Sequence, residues 1–218
     1  MARAATPLVE FAGDQVPLFA DPERDYHWVA AYDAWERQDA AVTFVARDEE
    51  GRPLTVRLTF VEPAVLRVLL LTPGATEPAP PPFLVDRPPA RVTLVIEERP
   101  DGLRLRTPAL VVDIDRAPWR MRVTAAGRPL YRQEAEDFAF DTPAAFPFGY
   151  STVAAGARPG AAPVAAHETF ALAIDEHLYG LGGQYGRFDK RGARVVGWSR
   201  ETYGTNTTPV TYMQVPFF

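Results

Sequence analysis

The chain has 218 residues, 47% hydrophobic and 23% charged, with 23 Lys plus Arg against 28 Asp plus Glu for a formal charge of −5. Its length permits a core burying roughly 70% of the unfolded surface, and no apolar run approaches the ~18 residues of a spanning helix, which sets aside disordered and membrane-spanning classes. Net negative charge offers no cationic cluster for nucleic acid or a membrane surface, and zero cysteines remove disulfides, thiol nucleophiles and thiolate metal sites.

Residues 1–27 are poorly periodic and read as a leader arm. Met1 to Glu10 carries an early Arg but no apolar stretch of the roughly 7–15 residues a secretion signal needs, so the expected location is cytoplasmic. Over Trp28–Arg37 the residues Trp28, Ala31, Tyr32 and Trp35 recur at helical spacing, while aromatic content equally permits a strand. Val42–Val45, the polar turn Asp48–Gly51 and the alternating run Leu54–Phe60 predict a hairpin with one buried face. Val65–Leu71 is almost continuously apolar, which predicts a core strand covered on both faces.

Proline is over-represented at 22 residues, against a usual share of about 5%, which disfavours long helices. Residues 73–89 hold seven prolines and predict a long loop crossing between sheets. Strands are then predicted at Val92–Glu98, Leu103–Arg106, Ala109–Asp115, Trp119–Thr124 and Leu130–Gln133, separated by Gly, Pro and Asp turns. Residues 138–163 read as a Pro/Gly/Ala-rich loop and His167–Ile174 as a further strand. Short strands at this spacing predict an all-β fold, an antiparallel β-sandwich or barrel. A chain ending on Phe217 and Phe218 leaves an apolar edge without a partner, which implies that more protein follows.

Chemistry-bearing constellations are sparse. His27, His167 and His177 are too scattered to predict a metal site. Asp113 and Asp115 share a strand face in the manner of paired glycosidase carboxylates, but Val112 and Ile114 opposite them favour a solvated strand surface. Gly180, Gly182, Gly183 and Gly186 miss G-x-G-x-x-G spacing and precede no P-loop Lys-Ser/Thr, so they fit positive φ or close backbone packing better than phosphate binding. No Gly-x-Ser-x-Gly elbow supplies a nucleophile. Trp198-Ser199-Arg200-Glu201-Thr202-Tyr203 places an aromatic, a cation and a carboxylate in one polar loop, suited to stacking on sugar C–H surfaces and bonding hydroxyls. An exposed Arg200–Glu201 pair with Trp198 as a core anchor explains the same residues.

At this segment the sequence resembles glycoside hydrolase family 31, the α-glucosidases and α-xylosidases. Leu178-Tyr179-Gly180-Leu181-Gly182-Gly183-Gln184 resembles the family's Tyr-Gly-Leu-Gly-Glu segment, Asp189-Lys190-Arg191-Gly192 its Asp-Lys-Arg-Gly variant, and Trp198-Ser199-Arg200-Glu201 its aromatic-Asn-Arg-Asp. Tyr212-Met213-Gln214-Val215-Pro216-Phe217 is similar to its Tyr-Lys-Asn-Ile-Pro-Phe run. Phe60–Val68, Leu105–Leu110 and Asp113–Trp119 resemble weaker features of the same domain.

The resemblance implies a galactose-mutarotase-like β-sandwich over residues 1–218, truncated at its C-terminal edge and preceding a (β/α)8 barrel that is absent here. It implies a substrate-gating and scaffolding role in a retaining α-glycoside hydrolase. Glu201 and Tyr203 would contact the sugar, Arg200 would orient Glu201 and Trp198 would anchor the loop. Glu201 stands where the family has Asp, and a longer acid moves the carboxylate by about an ångström, which bears on sugar preference. The resemblance places no catalytic residue, metal or cofactor in this chain. The partners it implies are an α-linked oligosaccharide or glycoside and the barrel, in cis or on a separate chain. A freestanding carbohydrate-binding sandwich and a split or decayed fragment without catalysis are the alternatives.

Overall fold

The computed structural model describes residues 24–78, 91–133, 146–155, 164–183, 186–193, 195, 213 and 217–218. One unit comprises Pro17–Ala171 and a second joins Met1–Val16 to Leu172–Phe218. All strands belong to the first unit, and no helix among the described residues is long and apolar enough to cross a membrane.

The first sheet starts at β1 (Arg24–Gln38), inside the stretch read as leader. β1 settles the ambiguity at 28–37 as a strand. Its register with β2 (Ala41–Asp48) shifts between Val29 and Ala31 and again between Tyr32 and Ala34. Each bulge adds a residue to the period of two, so an extended chain acquires apolar spacing that imitates a helix. Upstream of those shifts, Arg24–Trp28 pair with β10 (Gly149–Val153), which lies within the stretch read as a loop. Gly149 permits that pairing, because a Cβ there would sit 2.1 Å from the His27 carbonyl oxygen.

β2 and β3 (Pro53–Glu62) form the expected hairpin. Val42, Phe44 and Ala46 face inward with Leu54, Val56, Leu58 and Phe60, the larger side chains each contributing on the order of 1.5–3 kcal/mol by leaving water. β4 (Val65–Leu71) corrects the expectation of a strand covered on both faces. It takes the outer position of the six-stranded order β11-β10-β1-β2-β3-β4, and Val65 is exposed. Its apolar outward residues are compatible with that place because the following segment folds back, Glu77 bridging Arg57 and Arg67 at 2.5 and 2.9 Å.

The second sheet follows the predicted order as an antiparallel meander: β5 (Val95–Arg99), β6 (Gly102–Arg106), β7 (Val111–Asp115), β8 (Arg120–Ala125) and β9 (Arg128–Arg132). Leu103, Leu105, Val112, Ile114 and Met121 close the core from this side. Asp113 and Asp115 lie on the outward face as read. Arg104 grips Asp113 through two bonds of 2.7 and 2.8 Å, and Arg122 grips Asp115 at 2.7 and 2.6 Å.

Trp119 joins the two layers. Its ring meets Phe44 and Tyr32 edge-on at 5.2 and 6.1 Å, its backbone N–H donates to the Ala30 carbonyl, and its indole N–H donates to Gln133 Oε1. The strand predicted at His167–Ile174 is displaced: β11 is Val164–His167, after which Phe170 bridges Gln133 beside β9. The chain thus leaves the first sheet and reaches the edge of the second within four residues.

Candidate functional site

The motifs between Leu178 and Phe217 fall in the second unit, where backbone pairing orders the described residues. Leu181 N–H donates to the Phe217 carbonyl at 2.7 Å and Gly183 N–H to that of Met213 at 2.8 Å, an antiparallel bridge between the Tyr-Gly-Leu-Gly run and the C-terminal run. Gly180 makes the approach possible. Its φ is +100°, and a Cβ would lie 2.4 Å from the Phe217 carbonyl oxygen. Gly180 therefore serves close packing, and Gly182 and Gly186 serve positive φ at +93° and +111°.

Asp189 ties the next motif to the same run. Its Oδ1 accepts from the Arg191 and Leu178 backbone N–H groups at 2.9 and 3.3 Å, and its Oδ2 lies 2.7 Å from His177 Nδ1. The Arg191 amide, followed by His177, holds the carboxyl down to about 2. Arg191 reaches back, donating to the Ala173 and Glu176 carbonyls at 2.6 and 2.5 Å. Among the described residues of this unit none is buried, and Phe188, Phe217 and Phe218 are 81%, 76% and 60% exposed.

Trp198, Arg200, Glu201 and Tyr203 lie outside the described residues. They fall in chain order between Gly183 and Met213, two residues that form a bridge.

Residues 55–218 match the family model for the glycosyl hydrolase 31 N-terminal galactose mutarotase-like domain. The chain belongs to this family. Among solved structures this galactose mutarotase-like domain is similar to a cycloalternan-forming enzyme of Listeria monocytogenes in complex with a pentasaccharide substrate, with TM-score 0.67 and 20% identity over 88% of this chain and 16% of the other. It is also similar to a glycoside hydrolase family 31 dextranase of Flavobacterium johnsoniae complexed with isomaltotriose, with TM-score 0.60 and 15% identity over 84% of this chain and 20% of that one. The chain therefore spans less than a quarter of either enzyme, and at these identities the likeness establishes the fold. No curated protein matches the chain.

The sandwich also contains a polar network that the sequence reading passed over as a turn. Asp48, 1% exposed, accepts from the Glu50 and Arg52 amides, from Arg52 Nε at 2.6 Å and from the Tyr150 hydroxyl at 2.9 Å. Burial pushes the Asp48 carboxyl up, but the Arg52 amide, the Arg52 side chain and Tyr150 more than offset it, leaving it below the usual carboxylate range. Tyr150 is pushed up to about 12 by burial and by Asp48.

Beside this network, His27, Glu49 and Glu50 bring potential metal-ligating atoms within 4.8 Å of one another. A cation already stands among them: Arg52 lies 2.5 Å from His27 Nδ1, 3.3 Å from Glu50 and 4.0 Å from Glu49. The arrangement does the work of a turn clamp, with Glu49 also accepting from the Trp28 backbone N–H at 2.8 Å.

Proposed function

We propose that this chain is the substrate-gating and scaffolding domain of a retaining α-glycoside hydrolase whose chemistry resides in a (β/α)8 barrel, in cis or on a separate chain. The observation that carries the reading is membership of an N-terminal domain family by a chain that spans only 16–20% of the enzymes it resembles. In this reading the barrel supplies the two carboxylates of a double-displacement mechanism, and the excursion between Gly183 and Met213 supplies a loop to its mouth. Glu201 hydrogen-bonds a sugar hydroxyl, Arg200 orients that carboxylate, Tyr203 adds a second contact and Trp198 anchors the loop. A site built on such a bond rejects sugars lacking the hydroxyl, because its polar group is then left unpaired.

The isomaltotriose bound by the dextranase makes α-linked oligosaccharides the first ligands to test. Isothermal titration and a sugar-release assay on the 218-residue chain are expected to give neither turnover nor micromolar binding. Turnover would overturn the proposal, and micromolar binding would favour the freestanding sugar-binding module. In a polypeptide joining this domain to a barrel, Glu201→Asp is expected to change the glucose-to-xylose ratio of kcat/KM. An unchanged ratio counts against gating.

A further inference from the structure

Among the described residues β11 is an edge strand, four residues long and paired with β10. None of its residues is buried, and Val164 is exposed, so little apolar burial opposes its local opening. Its last residue supplies the fixing contact. His167 lies against Tyr26 of β1 and against Phe146, with ring centroids 5.5 and 5.7 Å away, and those two rings stack on each other at 4.0 Å. His167 Nε2 is 3.0 Å from the Tyr150 carbonyl. A carbonyl only accepts, so Nε2 carries the proton of the neutral ring and Nδ1 is a bare acceptor. Nδ1 is buried and without a hydrogen-bond partner among the described residues.

We propose that His167 is an acid-operated release for β11, protonation at Nδ1 lifting the strand from β10 while the rest of the sandwich stays folded. The neutral ring fits its aromatic slot, whereas the imidazolium brings a full charge and a second N–H donor into it. The carbonyls of Tyr150, His27 and Pro147 favour the charged ring, yet burial outweighs them and lowers His167 from its ordinary 6.5. The neighbouring charges do not reverse this. From β1 the His27 ring opposes a second positive charge, and it is itself engaged by Glu49 and Arg52. Arg24 of β1 donates to Ser151 of β10 at 3.5 Å, and the Tyr150 hydroxyl is held by Asp48. Glu168, the adjoining carboxylate, accepts from Gln133 at 2.8 Å and from the Tyr131 hydroxyl. The released strand therefore takes the proton first, so docking is strongest above pH 6.5 and weakens as pH falls below it. Glu168 and Thr169, whose hydroxyl donates to the Phe146 carbonyl at 2.7 Å, tether the C-terminal end, which keeps the opening local.

Hydrogen exchange followed by NMR on the 218-residue chain tests it, with rates expressed as protection relative to an unstructured peptide at each pH. Between pH 7.5 and pH 5.5 the best-protected amide of Val164–His167 is expected to lose up to about tenfold in protection, the ceiling for one proton taken up over one unit below 6.5. At every pH it should open more readily than the amides of Leu58 and Val112, both buried in the core. His167→Gln keeps an N–H for the Tyr150 carbonyl and carries no titrating group, so its β11 protection should not change over this range. Titration of the His167 ring in the parent chain should give a midpoint below 6.5, with the β11 amide shifts moving alongside it. That measurement decides the matter if the variant loses the strand at every pH. Protection of β11 that stays constant with pH, or equals that of Leu58 and Val112 throughout, overturns the proposal. So does a fall of the same size in His167→Gln, or a ring midpoint at or above 6.5.

Discussion

Asp48 concentrates more structural consequence than any other polar residue described in the sandwich. It is buried, yet it accepts four hydrogen bonds from the β2–β3 turn, the Arg52 side chain and a tyrosine of β10. The carboxylate is compensated, whereas the groups around it would not be without it. Asp48→Ala leaves the Tyr150 hydroxyl and two amides without their acceptor and releases Arg52, so it is expected to cost about 3 kcal/mol, the range seen when one member of a buried pair is removed. A urea midpoint lowered by less than the equivalent of about 1 kcal/mol would refute that role. Trp119 is the apolar counterpart. It is 2% exposed, its ring meets Phe44 and Tyr32 of the first sheet and its indole bonds Gln133 just after β9, and Trp119→Ala is expected to destabilise by about 3–5 kcal/mol through the cavity it leaves, read in the same denaturation experiment.

At the scale of elements, the stem formed by the pairing of Leu181 with Phe217 and of Gly183 with Met213 depends on Gly180. A side chain there meets the Phe217 carbonyl and a φ that L-residues avoid. Gly180→Val is expected to part the Leu181–Phe217 bond and speed exchange of the Leu181 amide, while β1 to β11 keep their protection. Protection of Leu181 unchanged in the variant would show that the stem does not need this approach. Elements differed in how openly the sequence announced them. Leu54–Phe60 could be read directly because one face is buried along its whole length, which makes the alternation strict. β1 could not, because two bulges reset its period, and β10 was hidden because Gly149, Ser151 and Thr152 carry little apolar signal and gain their place by pairing with β1. β4 misled in the opposite sense, since apolar content reports burial only where something lies over both faces. The glycine-rich run is legible as positive φ or close packing from its chemistry, and the structure shows both, but Asp189 stands out in the sequence only as part of a motif. Its partners are the Leu178 and Arg191 backbone amides and the His177 ring, pairings that composition and spacing do not encode.

For the molecule as a whole, the titrating groups of the sandwich give its stability a shape in pH. Arg104 holds the Asp113 carboxyl below its ordinary 3.8, and the Asp48 carboxyl is lowered as well. A carboxylate with a depressed folded value adds stability that is complete above the unfolded value and lost as pH falls through the folded one. Burial lowers His167 from its ordinary 6.5, so the unfolded chain binds the proton first and stability declines as pH drops below about 6.5. Tyr150 works at the other end. With a folded value of about 12 against an ordinary 10.0, its contribution is complete below pH 10 and lost between pH 10 and about 12. Stability should therefore climb from pH 3 to pH 7, hold to about pH 10 and fall beyond it. Urea unfolding across that range, followed by a probe in the sandwich such as Trp119 fluorescence, measures the curve. Tyr150→Phe should make the alkaline limb shallower, the raised Tyr32 and Tyr131 accounting for what remains, and leave the decline below pH 6.5 in place. An alkaline limb as steep in the variant as in the parent would assign it to other groups.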